Sequence, residues 1–314
     1  MTHSLYDRLR LRAAVLATVR EFFVEREYLE VETPCLVPSP GMDVHLDAFE
    51  VVRGLGSARS GYLITSPEYQ MKRLLCEGIG RIFQLARCFR SGEVGQRHNP
   101  EFTMLEWYAS GLDYEGLMQE TEALVRTVAE RHRSGKLWAG REFDVSLPFE
   151  RVTVTEAFER FADVPGDAMQ NLAAHDEERY FRILIERVEP GLASLDRPVF
   201  LVDYPASQAS LARTKPGDAA LCERFELYLG EVELCNGFGE LCCPIEQRHR
   251  FEEDQRVRRE RGLPVYPIDE RFLAAMTAGM PESSGNAVGI DRLVAAVAGL
   301  DAIGDGMAFP VGRL

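Results

Sequence analysis

Strand-like runs gathered in blocks, not alternating one for one with helices, predict an α+β fold with a mainly antiparallel sheet. Two observations add to this. RIFQLARCFRSGEVG and EFTMLEWYAS, joined through a polar loop, read as an antiparallel hairpin with a long tip. The glycines of GNAVGIDRLV are followed by no βαβ unit, so they are not a dinucleotide fingerprint on a doubly wound sheet. The 314 residues suit one large domain or two ordinary ones, and the chain shows no internal repeat and no low-complexity linker.

In chain order, Ser4 and Asp7 form a capping pair, and Leu9, Ala13, Leu16, Ala17 and Phe23 recur at helical spacing, predicting a helix to about Glu27. Alternation through Leu29, Val31 and Thr33 predicts a strand that Pro34 ends or places at an edge. GYLITSPEYQMKRLLCEG reads as a short strand, a turn at Ser66-Pro67 and a helix from Glu68. Beyond the hairpin, helices are expected at Tyr114 to His132, about Thr155 to Phe161 and about Ala174 to Val188. RPVFLVDYPASQ and CERFELYLGEVELCNGF are the next strands, the second long enough to bend or form a hairpin. IEQRHRFEEDQRVRRERG is a charged helix, most simply a solvated face, and a strand-loop-helix closes the chain at GNAVGIDRLVAAVAGL.

Composition narrows the function. Hydrophobic content of 46% with 27% charged residues fits a soluble globular protein, and no run approaches the ~18 apolar residues of a membrane span. The N-terminus is charged along its length and does not read as a secretory signal. Seven cysteines, odd in number and without CxxC spacing, indicate reduced cytosolic thiols mostly packed in the core, not a disulfide framework or a zinc site. A net charge of −14 disfavours general nucleic-acid binding, which rests on neutralising phosphates.

Four segments could carry chemistry. In the hairpin, Arg87, Arg90, Arg97 and His98 suit a phosphate-rich ligand, Phe102 could stack a base, and Glu101, Glu106 and Tyr108 suit a cation; the same residues could be incidental surface charge. In SPEYQMKRL, Glu68 is either a helix cap or a carboxylate aimed at an amine. In GEVELCNGFGEL, Glu233 and Glu240 flank an apparent Asn-Gly turn and could hold Mg²⁺ beside substrate phosphates, or simply be solvated. Their hard oxygens do not suit zinc. In GNAVGIDRLV, Gly285, Ala287 and Gly289 allow close approach of a ligand, with Arg292 in the first turn of the last helix.

Taken in order, these segments resemble the class II aminoacyl-tRNA synthetases, specifically the lysine branch. YLEVETPCL with Pro34 resembles motif 1, FRSGEVGQRHNPEFTMLEWY motif 2 and GNAVGIDRL motif 3, and the likeness runs from about Leu5 to the C-terminus. Lysyl-tRNA synthetases carry an N-terminal anticodon-binding domain; the motif 1 helix here starts almost at Met1, so neither that domain nor tRNA binding is expected. With YPASQASLA and RGLPVYPID, the chain is similar to the elongation factor P–lysine ligase family, which modifies a protein lysine.

That resemblance implies one class II synthetase-like catalytic domain over 1–314, with a mainly helical insertion at about 113–198. It implies a cytoplasmic, ATP- and Mg²⁺-dependent ligase that joins (R)-β-lysine, or less well lysine, to a lysine ε-amine of elongation factor P. Arg90 would hold the α-phosphate and the substrate carboxylate, and Arg292 the γ-phosphate and one face of the adenine. Phe102 would stack the other face, while Arg97, His98 and Asn99 close over the triphosphate. Ser91, Gly92, Glu93, Leu234 and Gly289 complete the expected ATP site, and Glu233 and Glu240 would carry Mg²⁺. The amino-acid site would comprise Ser66, Pro67, Glu68, Glu106, Tyr108, Asn236, Glu240 and Ala287. A homodimer through motif 1 is also implied.

Two positions depart from the synthetase pattern. Gly92 stands where the lysyl enzymes have the glutamate that reads adenine, with Glu93 next to it, and Ala287 replaces the middle glycine of motif 3. The extra methyl is expected to disfavour the α-amine of ordinary lysine and favour the β-isomer. Two other functions fit the same residues: a minimal enzyme charging tRNA or another small acceptor, and a non-catalytic amino-acid sensor. Retention of Arg90, Glu233, Glu240 and Arg292 speaks against the sensor.

Overall fold

The computed structural model describes residues 4–52 and 61–314. The Ser4 side chain accepts from the Asp7 N–H while Asp7 reaches back to Ser4, and this capping box starts α1 (Leu5–Val24). The helix stops at Val24, short of Glu27, because Glu27 takes a left-handed backbone (φ 61°) that turns the chain into β1 (Leu29–Glu30). β2 (Leu36–Val37), β3 (Glu50–Val51) and β4 (Gly61–Leu63) form a small sheet in the order β2-β4-β3. α2 (Glu68–Cys76) follows the Ser66-Pro67 turn, and the expected hairpin is β5 (Arg81–Phe89) against β6 (Glu101–Ser110), in unbroken antiparallel register.

Asp113 caps α3 (Tyr114–Arg133), which leads to a two-stranded ribbon, β7 (Lys136–Trp138) and β8 (Glu142–Asp144), and to β9 (Glu150–Thr153). α4 (Val154–Ala162) follows. The single helix expected at Ala174 to Val188 is instead the end of α5 (Gly166–His175), then α6 (Glu177–Ile183) and a π-helical turn at Leu184–Val188 that runs into α7 (Glu189–Ala193). Asp176 causes the break: its backbone leaves the helical region and its carboxylate caps the Arg179 N–H.

β10 (Val199–Pro205), buried throughout, precedes β11 (Thr214–Lys215), β12 (Asp218–Leu229) and β13 (Val232–Gly239). The hairpin turn lies at Gly230, not at Asn236-Gly237, which sit within β13. Gly237 is a packing glycine: a Cβ there would stand 2.4 Å from the Phe225 ring. α8 (Pro244–Glu260), α9 (Glu270–Gly279), β14 (Ser283–Gly289) and α10 (Ile290–Ala298) end the fold.

The main sheet runs β1-β5-β6-β14-β13-β12-β10-β9, with β11 added to β12. Its interior pairs are antiparallel, whereas β1–β5 and β9–β10 are parallel. This is the α+β architecture the block pattern predicts, with parallel outer pairs the pattern did not reveal. The largest core sets Val19, Phe23, Leu124 and Val294 of α1, α3 and α10 against Phe83, Trp107 and Phe225 of the sheet. Phe23 stacks on Phe83 at 4.9 Å, and each such buried side chain contributes about 1.5–3 kcal/mol. All seven cysteines are free; Cys88, Cys222 and Cys235 are buried, but Cys35 and Cys243 are exposed, so core packing of the thiols is only partial. No helix among the described residues is long and apolar enough to cross a membrane.

Charge-rich α8 is not only a solvated face. Arg258 is fully buried and donates to the carbonyls of Pro264, Asp43, Val44 and Leu46 and to the Asp47 carboxylate at 2.6 Å, while its guanidinium lies 4.5 Å from the centre of the Tyr266 ring. Removing it orphans several buried acceptors at once. Arg258→Ala should lower unfolding free energy by about 3–5 kcal/mol in urea denaturation, and Arg256→Ala, whose ion pairs are exposed, by less than about 1 kcal/mol.

Candidate active site

A cavity of about 1240 Å³ opens on β6, β13 and β14 and is walled by α2, the β5–β6 loop, the 39–46 segment and α6. The three strands bring their side chains into rows. Register places Glu106 beside Ala287 and Ala287 beside Asn236, and the next row sets Tyr108, Gly285 and Phe238 together. The Tyr108 ring passes so close to Gly285 that a Cβ there would stand 2.1 Å from it and 2.8 Å from Glu240 Oε1.

Guanidinium groups gather at one end. Arg90 stacks 5.1 Å over Phe102, and its buried Nε has no hydrogen-bond partner. Arg292 donates to the Glu233 carbonyl at 2.7 Å and to His98 Nε2 at 2.9 Å, and its guanidinium is 3.5 Å from the Glu233 carboxylate. Burial and the Arg292 charge hold the His98 imidazole below its ordinary range, so it is neutral and accepts. Arg97 lines the cavity while donating to the carbonyl and carboxylate of Glu231. Asn99 donates to the Glu101 carbonyl and accepts from the Val311 N–H. Leu234 and Gly289 also line the space.

Asp291 anchors this end. Its carboxylate accepts from the Thr103 N–H at 2.7 Å and from Arg12 of α1 at 2.5 Å, and Arg12 also donates to the Thr103 hydroxyl.

The other end is acidic and largely buried. Ser66 donates to Glu106 Oε1 at 2.6 Å and Tyr108 to Oε2 at 2.9 Å. Burial first, then repulsion from Glu68, pushes the Glu106 carboxyl up to about 7. Lys72, only 1% exposed, pairs with Glu68 at 2.6 Å and with Glu240. Burial works against the Lys72 charge, but Glu240 and Glu68 together raise it well above the ordinary range. Burial raises the Glu240 carboxyl, partly offset by Lys72.

Some expected residues stand elsewhere. Arg87 is exposed and faces Glu101 at 3.9 Å, outside the cavity wall. Pro67, Ser91 and Gly92 do not line the cavity. Pro67 is the residue that begins α2, and Ser91 donates its N–H to the Asp47 carbonyl. Gly92 supplies a left-handed turn (φ 83°), which leaves Glu93 on the wall, 3.7 Å from Arg90. Glu233 and Glu240 cannot share one ion: seven residues of extended strand separate them by roughly 20 Å. Glu240 belongs to the acidic end. The neighbour of Glu233 is Glu226 on β12, whose charge, after burial, helps push the Glu233 carboxyl up. Among the described residues no group of three or more His, Cys, Asp or Glu side chains is arranged to hold a metal alone.

Sequence reading missed Glu226 and the α6 residues Phe181 and Arg182 on the cavity wall, and Lys72 behind it. For Lys72 a signal was present in its spacing of four from Glu68 on one helical face. For Glu226 none was, since its partner lies across a hairpin whose turn was placed wrongly.

The family model of class II tRNA synthetases (D, K and N) matches residues 1–313. A curated protein of Klebsiella pneumoniae subsp. pneumoniae, elongation factor P–(R)-β-lysine ligase, is 45% identical over 309 residues, 96% of this chain and 94% of its own. Proteins of the same name from Klebsiella pneumoniae strain 342 and Salmonella paratyphi B are 44% and 43% identical at the same coverage.

Gly285→Ala would drive a methyl into the Tyr108 ring. It should destabilise the chain by about 1–3 kcal/mol on thermal denaturation and displace Tyr108 from Glu106, seen crystallographically as loss of that hydrogen bond.

Proposed function

The chain belongs to the class II tRNA synthetases of the aspartate, lysine and asparagine group, and we propose that it is an elongation factor P–(R)-β-lysine ligase. In the first step the carboxylate of (R)-β-lysine attacks the α-phosphorus of ATP and pyrophosphate leaves. In the second, the ε-amine of a lysine on elongation factor P attacks the acyl carbon; a C–N bond forms, the bond to AMP breaks and the amine sheds a proton. The observation that carries this reading is one cavity with Arg90 and Arg292 at one end and Glu68, Glu106 and Glu240 at the other.

Activation needs positioning and charge neutralisation more than covalent chemistry from the protein. Arg90, poised over Phe102 with a free Nε, meets the α-phosphate and the amino-acid carboxylate, and adenine stacks on Phe102. Arg292, on a neutral His98, faces the terminal phosphates, with Arg97 at the rim and Asn99 bracing the loop. Glu93 takes the base contact that Gly92 cannot make. Glu233 on the cavity wall, with Glu226 near enough to raise its carboxyl and itself held by Arg224 and Tyr228, would offer oxygen to Mg²⁺, which when bound would neutralise phosphate charge. Glu106, Glu68 and Glu240 receive the two ammonium groups, beside Asn236 and Ala287. α-Lysine would be the poorer substrate.

The whole chain acts as one catalytic domain in the cytoplasm, with 113–198 inserted into it; β9, within that stretch, extends the common sheet. Exposed Leu5, Tyr6, Val24 and Leu29 on α1 and β1 offer an apolar seam for a homodimer.

Pyrophosphate exchange with ATP should depend on (R)-β-lysine, and mass spectrometry should show elongation factor P gaining one β-lysyl group in alkali-stable amide linkage. Absence of both would refute the reading, and alkali-labile tRNA product would replace it. Because ionised Glu106 is the form that binds ammonium, kcat/KM for the amino acid should fall as pH drops through about 7. Glu106→Gln should flatten that limb and lower kcat/KM about 10²-fold or more. Ala287→Gly should raise kcat/KM for α-lysine relative to the β-isomer in the same exchange assay.

A further inference from the structure

An ammonium group already stands behind the acidic end of the cavity. Lys72 of α2, 1% exposed and set back from the cavity wall, has Nζ 2.6 Å from Glu68 Oε1, in contact with Glu240 Oε2 and 5.9 Å from the centre of the Tyr108 ring. Glu240, which is on the cavity wall, is itself fully buried, and its other oxygen, Oε1, is buried without a hydrogen-bond partner. Glu106 lies alongside, held by Ser66 and Tyr108. A buried carboxylate kept bare on one side and clamped on the other is a prepared acceptor.

We propose that Lys72 is a positioning residue that sets the preference for a diamino acid, by clamping Glu68 and Glu240 so that Glu240 Oε1 stays open toward the incoming ammonium. This rests on the amino-acid activation proposed above. Lys72 meets one of three carboxylate charges and leaves two, matching a guest with two ammonium groups whose carboxylate is taken by Arg90. Without Lys72, Glu68 and Glu240 would stand close together with no cation between them, and repulsion would turn or neutralise one of them. The site would then lose its aim at the second ammonium while the nucleotide end stayed intact.

The test is steady-state pyrophosphate exchange on the full chain with (R)-β-lysine and with (R)-3-aminohexanoate, the same chain lacking the terminal ammonium. In Lys72→Met, KM for β-lysine should rise at least about tenfold, KM for ATP should stay within about twofold, and discrimination between the two acids should fall at least about tenfold. In Lys72→Ala, propylammonium should restore β-lysine KM and discrimination, and propanol should not. If Lys72→Met does not fold, Lys72→Ala prepared in propylammonium carries the same comparison. Lys72→Met with an unchanged melting temperature, β-lysine KM and discrimination would overturn the proposal, as would a folded Lys72→Ala that propylammonium leaves unrestored. A wild-type enzyme with no β-lysine-dependent exchange would instead sink the activity on which this rests.

Discussion

Like charges crowded into a largely buried corner are the constraint on which this structure turns. Glu68, Glu106 and Glu240 converge there, the last two fully buried, and burial of ionised carboxylates is tolerated only with hydrogen bonds and countercharge. Ser66 and Tyr108 supply the first and Lys72 the second. The site is therefore held in a state whose stability is incomplete by itself. The Glu106 carboxyl lies above its ordinary range, so its contribution favours the fold at low pH and is lost as pH rises toward about 7. In the function proposed above, a cationic guest would reverse that penalty, and binding and selectivity would come from the same groups.

The sheet makes such crowding possible because its rows are rigid. Glu106, Ala287 and Asn236 are fixed by strand register, and one missing side chain, at Gly285, gives the Tyr108 ring room to reach across. Toward the opposite end of the cavity, Phe102 stands on β6, Arg90 just past the end of β5 and Arg292 in the first turn of α10. Opposite charges are thus kept apart by backbone hydrogen bonds, not by the side chains' own preferences. Arg258 performs a comparable task outside the sheet, fastening the 43–47 segment beside the opening with donors on several carbonyls.

Much of this was legible in the sequence, and the reason is local. The β5–β6 hairpin announces itself by two apolar runs around a polar loop, and Arg90, Phe102, Glu106 and Tyr108 stand out in it by the charge and aromatic character they carry. What stayed hidden depends on contacts distant in sequence or on ambiguous small residues. Asn236-Gly237 has the composition of a turn, yet Gly237 is there to admit the Phe225 ring. Placing the turn at Gly230 instead pairs Glu233 with Tyr228 of β12 and makes Glu226, not Glu240, the carboxylate whose charge acts on it. Arg258 looked like one more solvated charge because nothing in a helical sequence marks which arginine will meet a loop more than two hundred residues away. Asp176 similarly divides what periodicity joins.

The link through Asp291 has a mechanical meaning. One carboxylate grips Arg12 on the outer helix and the Thr103 amide beside Phe102, without slack or an intervening solvent molecule. Displacing α1, whether by a neighbour leaning on it or by heat, therefore tugs the backbone that carries the aromatic ring, so the setting of Phe102 and the seating of the first helix rise and fall as a single quantity.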